Sequence, residues 1–269
     1  MRRVWRLMKI GVGYRRELSA WIDTQPRGVD CLEITAEHFF HGGEERLAQL
    51  AERFHLFVHG LGLSLGTPGP LDAGTLEAFA RVTRAAQPDW ISEHIAFTRT
   101  AEVDLGHLNP VPPTREVLGI IADHAREVAA RCGRPILLEN ITSHVRLTGD
   151  LSETDFLNEL CERADCGLLL DVTNLFINSR NHRFDPLDWL REIEPRRIVQ
   201  LHIVGYSRAG DRYTDNHAQP IQDELLELAR AVIRHAPVQV IILERDEDFP
   251  APAELELEIA KLEQLRAGH

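Results

Sequence analysis

Short apolar segments alternate with longer amphipathic segments along the whole chain. Eight short segments are rich in Val, Ile and Leu and are bounded by turn residues, which is typical of buried parallel strands. They comprise residues 8–14, 31–36, 56–59, 90–95, 135–139, 167–172, 198–204 and 238–244. Most of the segments that follow these strands have apolar residues at helical spacing. They are residues 44–54, 75–86, 114–132, 154–164, 186–193, 222–235 and 252–266, with a weaker candidate at 15–22.

This alternation predicts an α/β fold, a (β/α)8 TIM barrel that forms a single domain over residues 1–269. An open doubly wound sheet usually carries a third glycine after its first strand, but here Gly11-Val12-Gly13 is followed by Tyr14-Arg15-Arg16. Helix-start signals support the assignment, since Thr114 precedes one helix and Pro186 follows Asp185 at the first turn of another.

The charge and the cysteines restrict the environment and the partners. With 42 acidic and 30 basic residues the chain carries a net charge of −12, which disfavours nucleic acid as a partner. No apolar run approaches the roughly 20 residues of a membrane span, and the N-terminus lacks a secretory signal. We therefore expect no membrane contact. Because the four cysteines form no C-x-x-C pair, we also expect reduced, packed thiols and a cytoplasmic protein.

Potential metal ligands recur at one end of the predicted strands. Those at or just after strand ends are His59, His94, Glu139, Asp171, Asn174, His202 and Glu244, and the loop after the seventh strand adds Asp215 and His217. In a TIM barrel these ends converge on one face, where several carboxylates would repel one another unless cations neutralise them. The sequence therefore predicts a metal site, with Glu33 and Glu37-His38 as hydrogen-bonding support for the ligands.

The types of donor atom limit which metals the site would bind, but they do not identify the reaction. Imidazole and carboxylate donors without cysteine suit iron, manganese or zinc, and their number exceeds the needs of one ion, so two or three ions with Glu139 as a bridge are expected. Motifs of serine hydrolases, P-loop NTPases and ordinary zinc proteases are absent from the sequence. A divalent-metal sugar isomerase or phosphodiesterase-type hydrolase remains an alternative, as does a peptide-binding scaffold without metal.

Nine motifs in the same order resemble the multinuclear non-haem iron-dependent oxidative enzymes, over about residues 11–248. They are Gly11-Val12-Gly13-Tyr14-Arg15, Glu33-Ile34-Thr35-Ala36-Glu37-His38-Phe39, the segment 59–66, Ser92-Glu93-His94, Leu138-Glu139-Asn140, Leu170-Asp171-Val172-Thr173-Asn174, Leu201-His202-Ile203-Val204-Gly205, Asp215-Asn216-His217 and Glu244-Arg245-Asp246. Two positions depart from the family's pattern. The usual Asp-Val-Asn-Asn has Thr173 at its third place, and the usual Gly-His reads Gly205-Tyr206.

The resemblance implies a TIM barrel that holds two or three iron ions of mixed Fe(II) and Fe(III) state and uses dioxygen as cosubstrate. By motif matching it implies nearly the ligands that the strand-end argument selects, with Asn174 as a further ligand, and we assign no catalytic residue beyond the ligands. The implied ligands are His59, His94, Glu139, Asp171, His202, Asp215, His217 and Glu244. The implied reaction is oxidative modification of cysteine, or another residue, in a ribosomally synthesised precursor peptide. A small partner protein that presents the peptide is also implied.

Overall fold

The computed structural model describes residues 7–100 and 102–267. Its strands are β1 (Lys9–Tyr14), β2 (Cys31–Thr35), β3 (His55–Gly60), β4 (Ile91–His94), β5 (Ala96–Arg99), β6 (Asp104–Pro110), β7 (Ile136–Glu139), β8 (Gly167–Asp171), β9 (Ile198–Ile203), β10 (Gly205–Ala209), β11 (Arg212–Gln219) and β12 (Val240–Leu243). Eight of them close into a parallel barrel in the order β1-β12-β9-β8-β7-β4-β3-β2. The predicted TIM barrel is confirmed, and each predicted strand lies within a barrel strand or overlaps one.

Helices surround the barrel between successive strands. They are α1 (Ser19–Ile22), α2 (Glu44–Arg53), α3 (Ala73–Ala86), α4 (Arg115–Cys132), α5 (Glu153–Ala164), α6 (Val172–His182), α7 (Pro186–Glu192), α8 (Asp223–His235) and α9 (Pro252–Ala267). The predicted helix starts are confirmed. The side chain of Thr114 accepts a hydrogen bond from the amide of Val117, and that of Asp185 accepts one from the amide of Leu187 next to Pro186.

Three elements differ from the sequence prediction. The helix α6 follows β8 without a loop, and residues 172–179 are all buried, so its sequence lacks the polar face that marks an amphipathic helix. Two antiparallel hairpins, β5–β6 and β10–β11, rise from the ends of β4 and β9. The segment after the seventh predicted strand, with Asp215 and His217, is therefore strand β11 and not a loop. Its polar, half-exposed residues give no apolar run to detect.

The interior of the barrel changes from apolar to polar along each strand. An apolar cluster inside the barrel consists of Cys31, Phe57, Trp90, Leu137, Leu169, Val199, Val240 and Ile242. Because strand side chains alternate in direction, the residue two positions beyond a member of this cluster also faces inward. His59 follows Phe57 in this way, and Glu139 follows Leu137. The apolar cluster is thus the floor of a polar mouth at the C-terminal ends of the strands.

A second, larger apolar cluster lies between the strands and the helices. It includes residues such as Leu32, Val58, Leu138 and Leu170, which alternate with the inward residues of the same strands. All four cysteines are buried and unpaired, as expected for packed thiols. Among the helices of residues 7–100 and 102–267, the search for one with the length and apolar character needed to cross a bilayer found none.

Candidate metal centre

The structure brings seven of the nine predicted ligand residues into three groups of close donor atoms. Within each group the donor atoms lie within 4.8 Å of one another. We call them the inner group (His59, His94 and Glu139), the central group (Glu139, Asp171, His202 and Glu244) and the outer group (His217, Glu244 and Asp246). The role of these residues as metal ligands stays a prediction.

The inner group is almost completely buried in the barrel mouth. The Nε2 atoms of His59 and His94 lie 3.3 and 3.4 Å from the same oxygen, Oε2 of Glu139. On the other side of the His59 ring, Nδ1 is 2.8 Å from the hydroxyl of Ser92. The hydroxyl fixes the ring plane, so Nε2 of His59 is directed at the carboxylate.

The central group uses the other oxygen of the same carboxylate. The Nδ1 atom of His202 lies 3.1 Å from Oε1 of Glu139 and 2.9 Å from Oε2 of Glu244. Asp171 completes this group at the end of β8, where its Oδ1 atom accepts a hydrogen bond of 2.7 Å from the amide of Asn174. That bond caps α6, so the helix start holds one oxygen of Asp171 and leaves the other directed at the mouth.

The outer group lies closest to solvent. Nδ1 of His217 is 3.5 Å from Oε2 of Glu244 and 3.3 Å from Oδ2 of Asp246. The backbone of His217 is left-handed, with a φ of 49°, which is unusual for a residue with a side chain and is often found at functional sites. Exposure of the side chains rises from 2% at Glu139 to 38% at Asp246, so the row of groups leads from the barrel interior to the surface.

Two carboxylates connect the three groups. Glu139 belongs to the inner and central groups, and Glu244 belongs to the central and outer groups. A carboxylate has two oxygens and can bind a cation with each. The arrangement therefore fits a row of up to three ions joined by two bridging side chains.

Several buried donor atoms at this site have no hydrogen-bond partner among the residues that the structure describes. They are Nε2 of His59, Oε2 of Glu139, Oδ2 of Asp171 and Nδ1 of His217, so every group contains at least one. A buried polar atom without a partner costs about 1–3 kcal/mol, and proteins rarely leave several together without a ligand. These atoms are the donors that a metal ion would satisfy.

The protonation states follow the local charges. Burial, together with the rings of His94 and His202, lowers the pKa of His59 well below its usual range, so that this imidazole is neutral. Burial opposes a charged ring at His94 too, but Glu139 and Glu93 raise the pKa of His94 to about 9.

The central group shows the same competition. Burial favours a neutral ring at His202, yet the charges of Glu244 and Glu33 raise its pKa well above the usual range. Burial and the nearby Asp215 raise the pKa of Asp171 well above its usual range. The site thus has more negative charge than its surroundings solvate, and cations offset such an excess.

Supporting side chains hold the groups from behind. Oε1 of Glu33 lies 2.5 Å from Nε2 of His202, as expected for a residue that orients a ligand, and Gln200 donates a hydrogen bond of 2.5 Å to Oε2 of the same carboxylate. Trp90 of the apolar floor donates to Gln200 at 2.7 Å. This chain of contacts fixes the ring of His202 to the floor of the barrel.

Glu93 and Glu37 support the loop beside the inner group. Oε1 of Glu93 lies 3.3 Å from Nδ1 of His94, and its Oε2 accepts from the amide of Leu63 at 3.0 Å. Oε1 of Glu37 accepts from the amides of Leu61 and Gly62 at 2.9 and 2.8 Å. His38, which the sequence paired with Glu37, is exposed.

Two predicted ligands lie outside the three groups. The Oδ1 atom of Asn174 accepts a hydrogen bond from Thr142, and its Nδ2 donates to the carbonyl of Asn140 at 3.2 Å. Oδ2 of Asp215 lies 2.6 Å from Nε2 of His217, so Asp215 holds the ring of an outer-group residue. As ligands, both residues remain predictions.

Asp246 and Arg15 lie in the motifs quoted from the sequence, but neither was predicted to be a ligand or to support one. Asp246 is a member of the outer group and lies two residues after Glu244, a spacing that would have placed both on one side of an extended chain. Arg15 lies 2.5 Å from Oδ1 of Asp246 and 3.3 Å from Oε1 of Glu244. The sequence gives no signal for this pairing, because 229 residues separate Arg15 from Glu244.

The two departures from the family pattern have local explanations. The hydroxyl of Thr173 donates to the carbonyl of Val204 at 2.7 Å and so joins α6 to the end of β9. The ring of Tyr206 stacks on Phe176 at a centroid distance of 5.1 Å, and its hydroxyl donates to Glu224 at 2.5 Å. Thr173 thus joins α6 to the connection between β9 and β10, and Tyr206 packs β10 against α6.

The sequence pattern of the RiPP precursor modification enzymes MbnB/TglH/ChrH matches residues 9–267. The chain belongs to this family. The match confirms the resemblance to the multinuclear non-haem iron-dependent oxidative enzymes and extends beyond the motifs at both ends. Because the family consists of enzymes that modify precursor peptides, the prediction of an enzyme is supported.

Relatives with similar sequences agree with this assignment. A UPF0276 protein of Chromobacterium violaceum is 35% identical over 250 residues, covering 92% of this chain and 90% of that protein. A UPF0276 protein of Shewanella oneidensis is 34% identical over 266 residues, covering 96% and 94%.

Solved structures of other proteins share the barrel. A D-psicose 3-epimerase crystallised with D-fructose has a TM-score of 0.62 at 14% identity, covering 97% of this chain and 99% of that chain. Endonuclease IV from Thermus thermophilus has a TM-score of 0.62 at 15% identity, covering 95% and 99%. At such identities the likeness is to the fold alone.

Proposed function

We propose that this chain is a multinuclear iron-dependent oxidase that uses dioxygen to modify cysteine, or another residue, of a ribosomally synthesised precursor peptide. Family membership supports the peptide as the class of substrate. The observation that carries the multinuclear part is the sharing of Glu139 and Glu244 between neighbouring groups. One ion needs no such sharing, whereas a row of ions does.

The donor set fits iron. Imidazole nitrogen and carboxylate oxygen are ligands that suit ferrous and ferric ions, and the four unpartnered buried atoms supply donors in all three groups. Residues His59, His94, Glu139, Asp171, His202, His217 and Glu244 would hold the ions, with Asp246 in the outer group and with Asn174 and Asp215 as the further ligands that the resemblance implies. Iron bound there in mixed Fe(II) and Fe(III) states would supply redox chemistry with dioxygen and a Lewis-acid site for a substrate thiolate.

The chain's own residues prepare this site before a substrate arrives. Ser92 and Glu33 fix the rings of His59 and His202, so that the donor atoms need not reorganise. The apolar floor excludes water from below, and the side chains of Glu139 and His202 are 2% and 0% exposed. The opening lies at the outer group, where Asp246 reaches solvent, and a peptide would enter from that side.

The proposal includes a small partner protein that presents the peptide, as the family resemblance implies. The substrate must reach donors inside the barrel mouth, so its modified residue has to be held in an extended segment at the opening. Reconstitution with and without such a partner measures whether this chain binds the peptide alone.

The test is anaerobic purification after expression with added iron, followed by metal counting and an oxygen-electrode assay. The probe is a synthetic peptide that contains cysteine residues. We expect at least two iron ions per chain, oxygen consumption that depends on the peptide, and a change in peptide mass. Glu139→Gln should abolish all three. His235→Gln should abolish none of them, because the only hydrogen bond of this half-buried side chain among the described residues is with the carbonyl of Ile193 at 3.0 Å.

Two outcomes contradict the proposal. Peptide modification by a protein that carries no iron would exclude the iron-dependent mechanism. A fully iron-loaded protein that neither consumes oxygen nor alters the peptide would exclude the oxidase and favour metal-dependent chemistry without dioxygen.

A further inference from the structure

The guanidinium of Arg15 lies between two carboxylates of the outer group. Its Nε and Nη2 atoms lie 2.7 and 2.5 Å from Oδ1 of Asp246, and Nη2 is 3.3 Å from Oε1 of Glu244. The third nitrogen, Nη1, donates to the carbonyl of Tyr14 at 3.0 Å. The side chain of Arg15 is 11% exposed, whereas that of Asp246 is 38% exposed, so the guanidinium lies where the buried site meets solvent.

Arg15 binds only one oxygen of each carboxylate. The second oxygen of Glu244, Oε2, lies 3.5 Å from Nδ1 of His217, and the second oxygen of Asp246, Oδ2, lies 3.3 Å from the same atom. Nδ1 of His217 is itself buried and has no hydrogen-bond partner among the described residues. The oxygens that Arg15 does not hold therefore both lie near Nδ1 of His217, and Oε2 of Glu244 also lies 2.9 Å from Nδ1 of His202.

The three contacts of Arg15 require a planar group with several N–H donors, such as the fork-shaped guanidinium. A guanidinium presents fixed N–H directions, so contacts with Tyr14, Glu244 and Asp246 at the same time determine how both carboxylates are turned. The backbone also leaves space for the fork. A Cβ atom at Gly13 would lie 3.1 Å from Nη1 of Arg15, which is closer than most side-chain contacts.

We propose that Arg15 is a positioning residue that turns Glu244 and Asp246 toward His217 and thereby forms the outer metal position. This inference rests on the proposed metal function of the site. Arg15 contacts no member of the inner group among the described residues, so the side chains that it holds directly are Asp246 and Glu244, which the central group shares.

Charge and positioning predict opposite results when Arg15 is replaced. A positive charge next to a cation site repels the cation, so a purely electrostatic role predicts tighter metal binding in a neutral variant. A positioning role predicts weaker binding, because the two carboxylates then turn freely. Lysine keeps the charge but lacks the fork, so Arg15→Lys separates the two roles again.

The experiment is an anaerobic titration of metal-free protein with Fe(II), in which bound iron is counted and its Mössbauer spectrum is recorded. Arg15→Gln and Arg15→Lys should each weaken the outer equivalent by roughly 10- to 100-fold, as loss of a supporting contact does, while the inner equivalent keeps its affinity. Arg266→Gln is the matched control, since Arg266 also joins two carboxylates, Asp30 at 2.6 Å and Glu263 at 3.1 Å, outside the site. It should bind iron like the unchanged protein.

Three results would overturn the inference. They are equal or tighter outer binding in Arg15→Gln, full outer binding in Arg15→Lys, and an unchanged protein that never binds a third ion. Thermal unfolding of each metal-free variant shows whether the barrel is intact, and Arg15→Lys, which keeps charge and most of the volume, remains informative if the glutamine variant does not fold. No dioxygen or peptide is used, so failure of the oxidase assay and failure of this titration are separate results.

Discussion

Oε2 of Glu139 lies 3.3 Å from Nε2 of His59, and neither atom has a hydrogen-bond partner among the described residues. These two buried atoms form no hydrogen bond with each other at this distance. Both carry a lone pair that can bind a metal, so one cation could be bound by both. The second oxygen of Glu139 lies 3.1 Å from Nδ1 of His202. Glu139 therefore contributes to two of the proposed metal positions, whereas His59 contributes to one.

This asymmetry predicts a graded loss of metal. His59→Ala should remove one metal equivalent, because only the inner group loses a donor. Glu139→Ala should remove two, because the inner and central groups each lose a donor. Metal content per chain after anaerobic loading and desalting measures the difference, and equal losses in the two variants would show that Glu139 does not bridge.

The hydroxyl of Ser92 is the next test, since it contacts the ring of His59 from the side opposite the metal donor. Removing it in Ser92→Ala leaves the donor atom in place but frees the ring to rotate. We expect metal affinity at the inner group to fall by roughly 10- to 100-fold, which is the usual effect of losing a supporting hydrogen bond. Ser179→Ala is the matched control, because within the part of the chain that the structure describes that buried hydroxyl donates only to the carbonyl of Phe176, at 2.7 Å within α6. Similar affinities in the two serine variants would contradict the orienting role.

Much of this site could be predicted from the sequence because strand geometry repeats every two residues. Within a strand, the inward-facing residue at the C-terminal end lies two positions after an inward-facing apolar residue of the barrel floor. An apolar run that ends in His or Glu therefore indicates a polar side chain in the barrel mouth. Phe57 and His59 illustrate this, and Leu137 and Glu139 repeat it. Barrel closure then brings these strand ends together, although they are far apart in the chain.

The elements and contacts that could not be predicted lack a repeating pattern of apolar and polar residues. The helix α6 is buried on nearly all sides, so no polar face distinguishes it from a strand continuation or a loop. The hairpin β10–β11 is polar and half-exposed, so it has no apolar run. Arg15 meets Glu244 only because β1 and β12 are neighbours at the closure of the barrel, a relation that depends on the tertiary fold.

Metal binding should strongly stabilise the folded protein. Five carboxylates of the mouth are buried, namely Glu33, Glu93, Glu139, Asp171 and Glu244. Their mutual repulsion destabilises the metal-free fold, and ions that bind only the folded state add about 4 kcal/mol per site at a free concentration about 1,000 times Kd. We expect a chelator to lower the midpoint of thermal unfolding and Fe(II), added without oxygen, to restore it. A midpoint that does not respond to either would show that the carboxylates hold no metal.

Gly205 controls the position of the hairpin that carries His217. A Cβ atom at this residue would lie 2.0 Å from the carbonyl oxygen of Pro220 and 2.5 Å from that of Gln219, and backbone atoms cannot move aside as a side chain can. Gly205→Ala should therefore displace β10–β11, lower the free energy of unfolding by roughly 1–3 kcal/mol or more, and weaken metal binding at the outer group. Gly74→Ala is the control, since the one described side chain that a Cβ atom there would meet within 4 Å is that of Asp72, at 3.4 Å. Alanine at this position in α3 should leave stability unchanged or raise it by up to about 1 kcal/mol. Denaturant unfolding and metal counting of the two variants check both effects, and a Gly205→Ala protein with unchanged stability and a full outer site would show that the hairpin has room to accommodate the methyl group.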